Sequence, residues 1–585
     1  MCGIFGYLGG KDASKIIFEG LKNLEYRGYD SWGIVVKNKD GKLLVEKRVG
    51  QIGKANISFN QSNIGLGHTR WATHGKVSTK NAHPHFDCTG KIAVVHNGIV
   101  ENYQELKGNL IKKGHKFTSQ TDTEVIAHLV EENYQGDLSQ ALRLAFRKLL
   151  GLNAIVVLDT KKEILAAVKN GSPLVIGMAD DQVFISSDAF SLYSHTKRVI
   201  FLGESQIALA GKDGIVFSDL SGRIEKPKIE ILKGKREEIS LGRFPHFMLK
   251  EIFEQPKVLT EIASNTSQNI IELARAIENS FGTFMVGCGT ASYAALAGQY
   301  LFSRVALRHV NFSIGSEFAY WQDYLTPRSL VIALSQSGET MDTLESCYLA
   351  KEKRTKIVAL VNVLGSTLYR ISDYKILLGA GPEKAVCATK SFLAMLAVLL
   401  LLSYQMVGKR KIACDLILKS AKNISKILQK GYLAKIQKLA KKIAKHEHVY
   451  VIGRGLSYPI AQEAALKIKE VSYIHSEGFA GGELKHGVIA LIEKGTPCIV
   501  FAPNDETQGA ILSNAEELKA RGGFIIGIAP KNDKVFDYFL PVDDLSCASI
   551  LVDIVPAQLV AYFLALEKGY DPDRPRNLAK SVTVK

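Results

Sequence analysis

At 585 residues, 46% hydrophobic and 23% charged, the chain is an ordinary globular polypeptide with room for two to four domains, which excludes the disordered and fibrous classes. A formal net charge of +16 invites comparison with nucleic-acid binders, but the lysines are dispersed, no basic run is interleaved with aromatics and no such module is present. A solvated basic surface, suited to anionic substrates, is the expected reading, with no nucleic-acid partner expected and the cause of the high charge left open by the sequence. Eight cysteines stand singly with no C-x-x-C pair, which argues against a disulfide framework or zinc knuckle and for a reducing, cytoplasmic compartment. No signal peptide is expected, because Lys11 and Lys15 follow the start too closely. The longest apolar run, Phe392–Leu402, is too short to span a bilayer and reads as a buried core helix, so no membrane partner is expected.

The start reads Met1-Cys2-Gly3-Ile4-Phe5-Gly6. Loss of Met1 would put a thiol and an α-amino group on one residue. An amine titrating near ~7.7–8 can serve as the base that makes the thiolate. Taken alone, a buried and inert cysteine is the commoner case. Up to residue 235, short β-branched runs at Gly33–Val36, Ile92–Val95, Ala154–Leu158 and Gln182–Ile185 alternate with helical patterns at Glu101–Lys113 and Thr123–Asn133. Strands grouped with a few helices predict an α+β layered domain.

Five histidines fall between His68 and His96. His83-Pro84-His85 has no Cys or carboxylate at ligand spacing, so no metal is expected there. Arg70 can clamp a carboxylate bidentately. Asn97 with the N–H of Gly98 can form an oxyanion hole. Asp122 can bind an ammonium group or simply cap a helix. An Arg for a carboxylate and an Asp for an ammonium together describe an α-amino-acid site.

Lys226-Pro227-Lys228, the charged stretch Lys233–Glu238 and Gly242–Pro245 mark a linker, taken as 236–250. Beyond it the sequence repeats. Thr283–Thr290 echoes Val449–Leu456: an apolar strand, a Gly-x-Gly turn and an Ala-rich helix. Each copy continues with a further strand, Leu330–Leu334 or Cys498–Ala502, then a helix and another strand, Ile357–Val361 or Phe524–Ile528. Two doubly wound parallel-sheet subdomains are predicted, at 251–420 and 421–574, with ligands beyond the carboxyl ends of the strands. Ser335-Gln336-Ser337-Gly338-Glu339-Thr340 in the first copy can cradle a phosphate at a helix N-terminus. The second copy has Pro503-Asn504-Asp505-Glu506-Thr507 there, which lacks one N–H and repels anions, so one phosphate site per chain is expected. Lys467 and Glu470 share a helical face. His486 can transfer protons near pH 7. The tail, 575–585, carries Lys580, whose amine could form a Schiff base or merely be solvated.

Cys2–Gly6, Tyr26–Ser31, Gly67–Gly75, Asn81–His85 and His96–Gly98 resemble the N-terminal-nucleophile glutamine amidotransferases. The second half resembles the sugar-isomerase half of one branch of that family, so the likeness covers essentially the whole chain. It implies a four-layer αββα sandwich followed by two α/β sugar-isomerase subdomains. By that likeness Cys2 attacks the glutamine amide and Asn97 with Gly98 holds the oxyanion. Arg70 and Asp122 bind the carboxylate and amino group of glutamine, and Trp71, Thr73 and His74 line the pocket. Ser335, Gln336, Ser337 and Thr340, with Thr290 and Ser292, bind the phosphate of open-chain fructose 6-phosphate. His486 assists ring opening, Lys580 forms the imine at C2, Glu470 shuttles a proton between C1 and C2, and Lys467 supports it. Val386 and Ala579 touch the sugar through backbone atoms.

The likeness further implies that ammonia passes through a channel gated by Trp71, that the tail covers the sugar site, and that the chain is a homodimer with no cofactor. The product would be glucosamine 6-phosphate, opening amino-sugar biosynthesis. Trp32, Ala291 and Ala388 depart from the family pattern. A phosphoribosyl-diphosphate type of amidotransferase would need a different second half. A regulatory sugar-phosphate binder would be expected to have lost Glu470, His486 or Lys580, and all three are present. No long insertion of the kind that carries feedback regulation is seen, so a simpler bacterial- or archaeal-type enzyme is expected.

Overall fold

The computed structural model describes the chain apart from Met1, Lys54, Ser58, Asn60, Gln61 and residues 233–239, 265–267 and 583–585. It divides into two compact units: Met1–Glu238 together with Ala579–Lys585, and Ile239–Leu578.

In the first unit two antiparallel sheets are stacked. One runs Glu230–Ile231, Arg198–Phe201, Val175–Ala179, Gln182–Ser186, Gly3–Leu8, Ser62–Arg70, Ser31–Asn38, Leu43–Val49. The other runs Ile224–Glu225, Gly214–Ser218, Ile207–Gly211, Ile164–Asn170, Asn153–Asp159, Ile92–Gly98, His85–Phe86. Side chains two apart share a face, and the strands use both faces. Ile4 and Leu8 join the core between the sheets, while Phe5 and Tyr7 pack under the helix Ala13–Leu24. In the second sheet Ala93 and Val95 face the first sheet. Ile92 and Val94 pack against the helices Tyr103–Lys112, Glu124–Asn133 and Leu138–Phe146. The layers are therefore the αββα sandwich expected. Trp32 is buried in the outer core against Phe18, with ring centroids 5.8 Å apart.

Two five-stranded parallel sheets form the second unit. The first runs Asn311–Ile314, Thr283–Gly287, Leu330–Ser335, Lys356–Val361, Tyr374–Leu377. The second runs His475–Ala480, His448–Gly453, Pro497–Phe501, Phe524–Ala529, Tyr538–Pro541. Their strand orders are the same, which is the repeat legible in the sequence. Between them lies a common apolar core built from helices buried on nearly every side, Lys390–Met406 and Ser549–Glu567. The segment Ser546–Glu567 is long and apolar enough to cross a membrane by length and composition, and 89% of its apolar window is buried inside the protein.

Of the expected linker 236–250, residues 236–239 lie outside the described residues, and a helix, Phe247–Ser264, already begins within it. The two carboxylate oxygens of Asp573 accept the N–H groups of Phe247 and Met248, both at 2.7 Å, and so cap that helix. The tail end at Thr583, Val584 and Lys585 lies outside the described residues.

Candidate active sites

Cys2 leads into the strand Gly3–Leu8, half-buried, beside the loop that follows the strand Ser62–Arg70. The Trp71 N–H donates to its Sγ at 3.3 Å, and the thiol reaches Trp71 O at 3.6 Å. Burial pushes the thiol up, while the Trp71 N–H and the Arg70 guanidinium pull it down. The Cys2 carbonyl accepts from Asn97 Nδ2 at 3.1 Å and from Arg27 Nε at 3.3 Å. Arg27 lies 3.7 Å from Asp188, which also holds the Tyr26 hydroxyl. Asp30 accepts the Ala72 N–H at 2.8 Å. The Tyr26–Ser31 motif thus braces Cys2 and its facing loop.

Asn97 Nδ2 also donates to Ser187 Oγ at 2.9 Å, so both its hydrogens are engaged. Its Oδ1 lies 3.2 Å from His68 Nε2, which is also 3.0 Å from His96 O. Both partners are carbonyl oxygens, so that nitrogen carries the proton. His83 Nδ1 approaches the His68 ring at 2.9 Å, and Thr123 Oγ1 lies 3.0 Å from both His83 Nε2 and His96 Nδ1. His85 Nε2 lies 3.0 Å from Thr121 Oγ1. Burial pushes His68 down to about 3, and His83, His85 and His96 below the usual histidine range as well. The clustered histidines are therefore a neutral network behind Asn97. The sequence showed the cluster but not this purpose.

Arg70 is buried and donates to the carbonyls of His74 and, at 3.2 Å, Gly75, which shapes the 71–76 loop. Asp122 is buried, accepts the Val100 N–H at 2.8 Å, and acts electrostatically on both Cys2 and Arg70. Thr73 is exposed, and His74 packs edge-on to Tyr103 at 5.3 Å. Gly98 has φ +139°, and a Cβ there would meet Leu152 O at 2.2 Å, so that position demands glycine.

In the second unit the loop after the strand Leu330–Ser335 enters the helix Met341–Glu352 through Thr340. Ser335 Oγ lies 2.9 Å from Thr340 Oγ1 and accepts the Gly338 N–H at 3.0 Å, and Ser337 Oγ accepts the Glu339 N–H at 3.1 Å. This is a compact ring of hydroxyls at a helix N-terminus. Gln336 is half-buried beside it. In the other copy the acidic loop pairs instead with Arg304, at 3.6 Å to Asp505 and 2.7 Å to Glu506.

Along the helix Ser457–Ser472 lie Glu463, Lys467 and Glu470. Lys467 Nζ sits 2.6 Å from Glu470 Oε2, 3.5 Å from Glu463 Oε1 and 3.0 Å from Thr290 Oγ1; Thr290 in turn donates to Glu463 Oε1 at 3.2 Å. Burial pushes Glu463 up to about 8. Burial also opposes the Lys467 charge, but the two carboxylates overcome it and hold the ammonium above the usual lysine range. Glu463 and Lys467 are thus both pushed toward their protonated forms, Glu463 by burial and Lys467 by its acidic neighbours. Glu463 was missed by sequence reasoning; its spacing of four from Lys467 was the available signal.

The Ser292 hydroxyl is buried and donates to Gly289 O at 2.7 Å within its own turn, and the Val386 N–H donates to Asp573 O at 3.0 Å. His486 is exposed at the end of the turn Gly481–His486. Ala579 and Lys580 are half-buried and belong with the first unit.

Compared with known proteins, residues 68–194 match the glutamine amidotransferase domain family, and residues 279–403 and 442–566 each match the SIS domain family. A glutamine–fructose-6-phosphate aminotransferase (isomerizing) of Pyrococcus horikoshii is 44% identical over 600 residues, covering 100% of both chains. One from Aquifex aeolicus is 41% identical over 595 residues, again covering 100% of both. Among solved structures, the C-terminal domain of glucosamine-fructose-6-phosphate aminotransferase from Francisella tularensis aligns with a TM-score of 0.54 at 32% identity, covering 57% of this chain and 100% of that one.

Proposed function

The chain belongs to the isomerizing glutamine–fructose-6-phosphate aminotransferase family, and from that premise we propose how its own residues divide the work. It converts D-fructose 6-phosphate and L-glutamine to D-glucosamine 6-phosphate and L-glutamate. The observation that carries the assignment of roles is Cys2 seated between the Trp71 backbone and the Asn97 amide.

With Met1 removed, the Cys2 α-amino group takes the thiol proton and Sγ attacks the glutamine side-chain carbonyl. Arg70 and Asp122 hold the carboxylate and ammonium of glutamine, while Trp71, Thr73 and His74 line the pocket. The oxyanion competes with Ser187 Oγ for one Asn97 Nδ2 hydrogen and takes the Gly98 N–H as its second donor. Ammonia leaves, water cleaves the thioester, and the ammonia is passed on without release.

At the second site the loop Ser335–Thr340, with Gln336, Thr290 and Ser292, binds the phosphate. His486 opens the ring. The Lys580 amine condenses with the C2 carbonyl, losing water, and ammonia displaces the lysine. Glu470 then removes a proton from C1 and returns it to C2, which leaves an aldehyde at C1 and the amine at C2. Lys467, 2.6 Å from Glu470, supports that proton traffic. Val386 and Ala579 contribute backbone atoms. Residues 575–585 act as a catalytic tail, residues 1–235 as the glutaminase domain, and 251–420 and 421–574 as the two isomerase subdomains. A homodimer in the cytoplasm completes the proposal; the eight free cysteines suit a reducing compartment.

The test is product formation by purified protein, with Cys2→Ala and Lys580→Ala alongside. Amino sugar from the wild type alone, with glutamate still released by Lys580→Ala, is the expected result. Amino sugar from Cys2→Ala with glutamine as the nitrogen source would refute the role of Cys2.

A further inference from the structure

Beside the helices Tyr103–Lys112 and Glu124–Asn133 of the first unit, four side chains with metal-ligand chemistry converge: Cys88, His115, His128 and Glu131. Their ligand atoms all lie within 4.8 Å of one another. Cys88 Sγ is 3.6 Å from His128 Nδ1 and 3.8 Å from His115 Nδ1. Glu131 Oε2 is 3.0 Å from His115 Nδ1 and 3.2 Å from His128 Nδ1. A tetrahedral zinc ion, with bonds of about 2.3 Å to sulfur and about 2.0–2.1 Å to nitrogen or oxygen, separates its ligand atoms by about 3.3–3.6 Å. The observed separations straddle those values.

The donors are presented by three locally rigid elements. Cys88 sits in the turn joining the strands His85–Phe86 and Ile92–Gly98, which Asp87 closes by accepting the Ile92 N–H at 2.9 Å. His115 follows the C-terminus of the helix Tyr103–Lys112, where its N–H bonds Leu110 O at 3.1 Å. His128 and Glu131 lie three apart on the helix Glu124–Asn133 and so share a face.

Outer contacts fit as well. The Lys116 N–H donates to Cys88 Sγ at 3.4 Å, a bond that a metal-bound thiolate would keep, and the Cys88 N–H holds Glu131 Oε2 at 3.2 Å. The far nitrogen of the buried His128, Nε2, has no hydrogen-bond partner among the described residues, and Glu124 Oε1 faces it at 3.9 Å. A thiolate, a carboxylate and two neutral imidazoles around a divalent ion sum to zero charge. The exposed side of Cys88 leaves an entry path.

We propose that Cys88, His115, His128 and Glu131 form a four-coordinate site for a soft-to-borderline divalent ion of the zinc class, structural in role. The site ties together the hairpin that carries Asn97, the end of the helix Tyr103–Lys112 and the helix that follows Asp122. Glu124 extends the brace, because its carboxylate accepts the N–H groups of Thr118 at 2.7 Å and Ser119 at 2.6 Å on the approach to Asp122. Four protein ligands leave no open position, which separates a bracing site from a catalytic one.

The probe is the metal itself. Full-length protein is stripped with a chelator, desalted and titrated with Co²⁺, then with Zn²⁺. One Co²⁺ per chain is expected, with tetrahedral ligand-field bands and a thiolate-to-cobalt charge-transfer band, both erased by one equivalent of Zn²⁺. Cys88→Ser should lose the charge-transfer band, and His115→Ala should weaken binding at least tenfold. Both variants are checked for native circular dichroism, and Zn²⁺ should raise the melting temperature of the wild type but not of His115→Ala. No uptake by the wild type, or a spectrum unchanged in Cys88→Ser, would overturn the proposal.

Discussion

Asn97 can serve an oxyanion only if its amide is aimed, and the aim is set by uncharged histidines. His68, His83, His85 and His96 are all buried and held below their usual range. A histidine whose folded pKa is depressed contributes stability that is present above its unfolded value, near ~6.5, and lost as pH falls toward the folded value. Melting temperature should therefore decline between pH 6.5 and pH 3, as far as His68 at about 3 sets the lower bound, and His83→Gln should flatten that decline while lowering the melting temperature at pH 7. Glu463 is the opposite case. Its pKa is raised to about 8, so its contribution is favourable below the unfolded carboxylate range and is lost as pH rises through 8. Glu463→Gln imitates the protonated side chain, and activity at pH 7 should stay within about threefold. The same variant should abolish the part of the stability loss that Glu463 contributes between about pH 4.5 and pH 8, read by thermal denaturation. None of this was legible from residue types alone: a histidine or glutamate in the sequence carries no sign of its burial, and burial dominates these shifts.

At the scale of elements, the loop Ser335–Thr340, proposed to hold the sugar phosphate, is the sharpest case. Gly338 has φ +67°, and a Cβ there would meet Ser366 Oγ at 2.1 Å. Gly338→Ala should raise the KM for fructose 6-phosphate at least tenfold and leave glutamine hydrolysis nearly unchanged, measured by separate product and glutamate assays. This loop was readable in advance because glycine, small hydroxyls and a helix start are local signals. The two Gly-x-Gly turns and their following helices were readable for the same reason. The helix Ser549–Glu567 was less legible: its apolar residues run all round it, so periodicity does not mark a face. Ser292, proposed above at the sugar-phosphate site, spends its hydroxyl on Gly289 O, a local bond that spacing does not reveal.

At the scale of the whole molecule, one chain carries a glutamine amidotransferase unit and a unit of two sugar-isomerase domains, and the proposed function has ammonia pass from one half-reaction to the other without release. Amino sugar and glutamate should form in a ratio near one during turnover with both substrates. An excess of free ammonium labelled with ¹⁵N should contribute little label to the product at pH 7. Heavy labelling would mean that ammonia escapes between the half-reactions. The duplicated parallel sheets and an α+β layered first domain were legible in the sequence itself, because periodicity and glycine turns are properties of neighbouring residues, whereas the αββα layering and the expected role of Cys2 came from the likeness to the amidotransferases. Only the tertiary structure brought Glu463 and Lys467 to Thr290, about 170 positions away, set the histidines behind Asn97, and gathered Cys88, His115, His128 and Glu131 from three segments. Those groupings depend on strand order and helix packing, and the chain records them nowhere as a local pattern.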